Sequence, residues 1–257
     1  VKLEPHDAGI DFGHYYALVI GNGAYRNLPE LLTSKNDAKA VSELLSQRYG
    51  FKVRTLLDAD RYQILQALSE LREKRGEKDN LLVYYAGHGE YDKLDQRGYW
   101  LPIDAETESR TNWIPNQAIT DLLNAMAAKH VLVVADSCYS GALTEGGIPR
   151  VDEDLAKAQR ASWQSLMVGK RSRTALTSGG LSPVLDSGSA EHSLFADAFL
   201  DVLAKNEDVL DGRRLYEVLA ARVTWKARTR SFRQEPEYAP MRFGGHEAGD
   251  FFLVPKG

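Results

Sequence analysis

Apolar positions along the chain follow two patterns. Three continuous runs stand out: Tyr16-Ala17-Leu18-Val19-Ile20, Leu81-Leu82-Val83-Tyr84-Tyr85-Ala86 and Val131-Leu132-Val133-Val134-Ala135. Runs of that length, rich in β-branched and aromatic residues, read as strands buried on both faces, as in a parallel sheet. Elsewhere the apolar residues recur at helical spacing. Ala38, Val41, Leu44 and Leu45 share one face, opened by Ser34 and stopped by Gly50. Ile64, Leu65, Leu68 and Leu71 share another, as do Ile119, Leu122, Leu123 and Met126. Two later helices follow from Phe195, Ala198, Phe199, Val202 and Leu203 and from Leu215, Val218, Leu219 and Val223. Further strands are expected at Phe51–Leu57, Thr174–Thr177 and Phe251–Val254, and a short hairpin around Tyr99–Ile103 inside the polar stretch Glu90–Trp113. Asp152–Leu166 reads as a loosely packed helix, and the Gly-, Ser- and Pro-rich Ser178–Ser189 as a loop. Strands alternating with helices predict an α/β fold with a mostly parallel central sheet and helices on both faces.

Two of the apolar runs end in chemistry. One runs into Gly87-His88-Gly89, the other into Asp136-Ser137-Cys138-Tyr139-Ser140-Gly141, which contains the only cysteine of the chain. Parallel strands bring both ends to one edge of the sheet, the edge where ligands bind in open α/β folds. A lone cysteine with a histidine 50 residues upstream fits a cysteine nucleophile and its acid/base partner. The thiolate attacks, and the histidine takes the thiol proton or lowers its pKa. The plainer alternatives are a small buried Cys138 and a structurally satisfied His88. The glycines flanking His88 argue for close backbone approach instead.

The motifs Tyr84-Tyr85-Ala86-Gly87-His88-Gly89 and Asp136-Ser137-Cys138-Tyr139-Ser140-Gly141 resemble those of the caspase-like cysteine peptidases, closest to metacaspases and their bacterial relatives. The likeness runs from about Tyr15 to Val254. It departs from true caspases, whose nucleophile follows Gln-Ala, and from many metacaspases, which have histidine where Tyr139 stands. The resemblance implies a three-layer sandwich and an endopeptidase working through an acyl-enzyme. Cys138 and His88 would form the dyad, and the Gly89 and Cys138 amides the oxyanion hole. It also implies that Asp37 and Asp136 line the pocket for the residue before the cut. Two carboxylates there would select arginine or lysine. Asp37 has a second reading, because Ser34-x-x-Asp37 also fits a helix capping box. Many relatives carry a cleavable loop after the nucleophile, which places a mobile or cleavable linker at 142–173 with Arg150, Lys170 and Arg171 as sites of self-cleavage.

Composition narrows the rest. The chain has 257 residues, 26% charged and 43% hydrophobic, enough for one α/β domain over 15–257 after an N-terminal extension at 1–14. A net charge of −4 gives no pull toward nucleic acid or anionic membranes, and no apolar run approaches a membrane span. Val1–His14 lacks the features of a signal peptide, and a valine at position 1 fits a piece of a longer precursor. One cysteine excludes an internal disulfide framework and favours a cytoplasmic setting. Peptide or protein substrates and a monomer are expected. No cofactor or metal site is required by the pattern. Some metacaspases need calcium, so it stays open as an activator. Asp92, Asp95, Asp104 and Glu106 offer oxygen ligands but lack EF-hand spacing, and a solvated acidic loop is the simpler reading. Two other functions fit the sequence less well. A non-catalytic caspase-like interaction module would have no need of the intact Cys138, His88 and paired aspartates. A nucleotide-binding protein is weakened by Arg26, where a third fingerprint glycine would stand.

Overall fold

Alternation along the central strands decides the layers. Within each apolar run, one set of residues faces one side of the sheet and the other set the opposite side, so the sheet must be covered twice. The structure, a computed structural model, describes residues 9–137, 143–144, 157–179, 191–230 and 234–256, with the side chains of 157–159 left aside. The first half contains β1 (His14–Gly21), α1 (Ser34–Tyr49), β2 (Lys52–Leu57), α2 (Arg61–Lys74), β3 (Asp79–Ala86), β4 (Gly89–Asp92), β5 (Arg97–Trp100), β6 (Ile114–Pro115), α3 (Asn116–Asn124) and β7 (His130–Asp136). The second contains α4 (Lys157–Val168), β8 (Ser172–Thr177), α5 (Leu194–Lys205), β9 (Leu210–Asp211), α6 (Gly212–Thr229), β10 (Glu237–Pro240) and β11 (Phe252–Leu253).

The main sheet has the order β10-β8-β7-β3-β1-β2, with every neighbouring pair parallel except β10 against β8. Ala17, Val19, Leu82, Tyr84, Leu132 and Val134 pack on one face with α1, α5 and α6. Their sequence neighbours Leu18, Ile20, Leu81, Val83, Val131 and Val133 pack on the other with α2 and α3. The result is the three-layer α/β sandwich that the alternation predicts.

Two helix ends follow their sequence signals. Gly50 stops α1 in the left-handed region at φ 71°, its N–H closing on the Leu45 carbonyl. Asp60 and Gln63 form a reciprocal capping box at α2. The box expected at Ser34 and Asp37 does not form. The N-cap is Thr33, the Ser34 hydroxyl donates to the Asn22 carbonyl at 2.7 Å, and the Asp37 carboxylate turns away toward α5.

Arg173, on β8, is fully buried and faces no carboxylate among its hydrogen-bond partners. Its guanidinium donates instead to the carbonyls of Leu123, Met126, Ala128, Lys129 and Ser172, closing the end of α3 and the chain leading into β7. Burial pushes its pKa down to about 9, helped by nearby Arg171, so it is still charged at neutral pH.

Candidate active site

β3 delivers His88 to the sheet edge through Gly87. A Cβ at Gly87 would lie 2.7 Å from the Tyr85 Oη and 2.8 Å from the Tyr25 Oη, so no larger residue fits without moving both rings. Those hydroxyls fix the backbone of the next residue. The His88 N–H donates to the Tyr25 Oη at 2.7 Å, and the His88 carbonyl accepts from the Leu101 N–H at 3.0 Å and faces the Tyr85 Oη at 2.8 Å. Gly87→Ala is expected to cost about 1–3 kcal/mol through this overpacking. A thermal melt would show it as a drop of roughly 2–4 °C per kcal/mol, and an unchanged melting temperature would count against the clash.

The His88 ring packs against Tyr25 with centroids 4.6 Å apart, and its Nε2 lies 2.8 Å from the Pro29 carbonyl oxygen. A carbonyl only accepts, so Nε2 carries the proton. A neutral imidazole held this way keeps its free lone pair on Nδ1. The carbonyl of Pro29, on the loop after β1, thus fixes the orientation of the ring.

The two candidate pocket carboxylates come from different elements and meet at the start of α5. Asp37 projects from the first turn of α1 and Asp136 from the last position of β7, and both are buried. The His192 Nδ1 sits 2.7 Å from Asp37 Oδ1, and the Ser193 N–H donates to Asp37 Oδ2 at 3.3 Å. The Ser193 hydroxyl donates to Asp136 Oδ2 at 2.5 Å. Burial pushes the Asp37 carboxyl up to about 6, against the opposing pull of His192 and the Ser193 amide. Tyr84, fully buried below, has its pKa driven upward by burial, then by the charges of Asp136 and Asp37. One phenol therefore feels both carboxylates.

His192, Ser193, Tyr84, Tyr25 and Pro29 were not singled out from sequence. Ser193 alone left a signal, a serine just before the periodic run that begins at Phe195. Cys138, its amide and Arg150 lie outside the described residues. Of that motif the structure shows Asp136 and Ser137, whose carbonyl faces the Ser178 hydroxyl at 3.5 Å. Gly89 opens β4, paired with Trp100 of β5. Lys170 and Arg171 lie at the other end of the sheet, just before β8, about 17 Å along the strand from its carboxyl end. The Arg171 carbonyl accepts from the Glu247 and Gly249 amides, and its guanidinium holds the Asn124 carbonyl. Asp92 binds the Leu94 amide and Arg110, while Asp104 accepts from the Arg61 amide at the start of α2. Among the described residues no three His, Cys, Asp or Glu side chains are grouped to hold a metal, and no helix is long and apolar enough to cross a membrane.

A family model described as the caspase domain matches residues 14–243. The chain belongs to the caspase-domain peptidases. It is 27% identical over 217 residues to Metacaspase-6 of Arabidopsis thaliana, covering 77% of this chain and 55% of that one. It is 31% identical over 137 residues to the human mucosa-associated lymphoid tissue lymphoma translocation protein 1, covering 53% of this chain and 16% of that one. It thus spans about half or less of the length of these curated relatives. Caspase-1 from Spodoptera frugiperda shares the fold, with a TM-score of 0.63 at 16% identity over 96% of this chain and 99% of that one. The mostly parallel sheet with helices on both faces agrees with that shared fold. The family is one of cysteine peptidases.

Proposed function

We propose that this chain is a cysteine endopeptidase that cuts after arginine or lysine. The observation that carries this reading is the convergence of two buried carboxylates, Asp37 and Asp136, on the strand edge that also presents His88. In the proposed reaction the Cys138 thiol passes its proton to His88 Nδ1, and the thiolate attacks the scissile carbonyl. The C–N bond breaks as His88 returns that proton to the departing amine. Water, deprotonated by His88, then hydrolyses the thioester and regenerates the thiol. The bond from Nε2 to Pro29 supports this role by keeping Nδ1 free for the proton. The amides of Gly89 and Cys138 would receive the oxyanion, each contributing a few kcal/mol. Protein substrates follow from the family. Self-cleavage in the connection between β7 and β8 belongs to the same proposal, with Arg150 ahead of Lys170 and Arg171, whose backbone is tied into the fold.

The test is fluorophore release from short peptides ending in Arg, Lys or Asp, with and without calcium, with Cys138→Ala as control. Arg and Lys peptides should be turned over in a Cys138-dependent way, and the Asp peptide should not. Their KM should rise as pH falls below about 6, because Asp37 takes up a proton there and half of the pocket charge is lost. Cys138-dependent cleavage after Asp with none after Arg would overturn the specificity.

A further inference from the structure

The start of α5 does more than begin a helix. Ser193 is its N-cap, with a hydroxyl that accepts from the Ala196 amide at 2.9 Å. That same hydroxyl has a single proton, and it points to Asp136 Oδ2. The backbone N–H of Ser193 goes to Asp37 Oδ2. One residue therefore holds a carboxylate of α1 with its main chain and a carboxylate of β7 with its side chain. Ser193, Asp37 and Asp136 are all buried, so the two acids repel each other with little water to screen them. The positive end of the α5 dipole helps to offset that repulsion.

A second observation points to a ligand. The Tyr84 hydroxyl is completely buried, has no hydrogen-bond partner among the described residues, and is electrostatically coupled to both acids. A buried polar atom left unmet is costly and calls for an explanation. A guanidinium has five N–H donors and no acceptor, more than two carboxylates need, and a phenol oxygen can accept one of the remainder.

Resting on the basic-residue reading above, we infer that Ser193 is a positioning residue of the pocket, tying Asp37 to Asp136 so that both carboxylates meet one cationic side chain over Tyr84. The bland alternative is that Ser193 only caps α5. Aspartate separates the two, since it caps a helix about as well as serine. Ser193→Asp preserves the cap but has no proton to donate and sets a like charge beside Asp136. Ser193→Thr keeps both functions, and Ser193→Ala loses both.

The experiment pairs titration of benzamidine by calorimetry with KM and kcat on an arginine peptide, and with a thermal melt of each variant. Ser193→Asp should stay folded but melt below the wild type, because it buries a third carboxylate beside two others, and it should bind benzamidine at least about tenfold more weakly and show a KM raised by a similar factor, with kcat changed less. Ser193→Thr should restore both constants. Wild-type binding and KM in Ser193→Asp would overturn the inference while leaving the basic pocket in place. A wild-type protein that neither binds benzamidine nor cleaves the arginine peptide would overturn the pocket reading and the inference with it.

Discussion

Replacing His88 with alanine is expected to lower kcat/KM on an arginine peptide by about 10²–10⁴-fold, the range that a general acid/base contributes. The ring does two jobs in the proposed reaction, taking the thiol proton and returning it to the leaving amine, and no neighbouring group among the described residues can substitute. Tyr25 and Tyr85 lie close, but their hydroxyls are engaged with backbone groups. The fold should survive, because the side chain is only partly buried and its hydrogen bond among the described residues runs to an exposed loop carbonyl. A melting temperature near wild type with activity lost would locate the defect in the chemistry. Combining His88→Ala with Cys138→Ala should add little to either change alone, as members of one catalytic unit are strongly non-additive. Retention of more than a tenth of wild-type kcat/KM by His88→Ala would remove His88 from the dyad.

The second large effect is on stability. Arg173→Met should cost about 3–5 kcal/mol, typical of removing one side of a buried charged network. All five guanidinium N–H groups are used on main-chain oxygens, so the substitution removes a donor from the carbonyls of Leu123, Met126, Ala128, Lys129 and Ser172 at once; Leu123 and Lys129 keep backbone N–H donors from Met126 and Ser172. Lysine should rescue little, since an ammonium offers three donors from one point and cannot reproduce the planar fork. Denaturant unfolding would measure this. A methionine variant within about 1 kcal/mol of wild type would show that the carbonyls find other partners.

These two residues also mark what could be read in the sequence. His88 was legible because a local pattern carried it: a buried strand, two glycines and a fixed distance to the only cysteine. The central strands were legible for the same reason, since burial on both faces leaves an uninterrupted apolar run. Arg173 was not. Within Lys170-Arg171-Ser172-Arg173 it reads as one more surface cation, and only the packing of α3 against the sheet turns it into a core residue. β10 was missed because it is a four-residue edge strand with glutamate at one end and proline at the other, acceptable only where one side of the ladder is free. Phe251–Val254 was expected as a strand and is one over Phe252–Leu253, paired with β9 outside the main sheet. The site partners were hidden by distance. His192 and Asp37 are 155 positions apart, and nothing local to either announces the other.

The adjacency of β7 and β8 has a consequence for the integrity of the particle. Their ladder runs from His130 against Ser172 to Ala135 against Thr177, and the chain joining them leaves one strand end and returns to the opposite end. A single backbone break in that connection would therefore divide the covalent chain without dividing the sheet. The core beneath is shared as well, with Val134 and Leu45 from before the break packed among Leu176, Phe195 and Phe199 from after it. The two pieces would have to give up a common interior in order to part, so a nicked molecule would travel as one body and reveal its two halves only when unfolded.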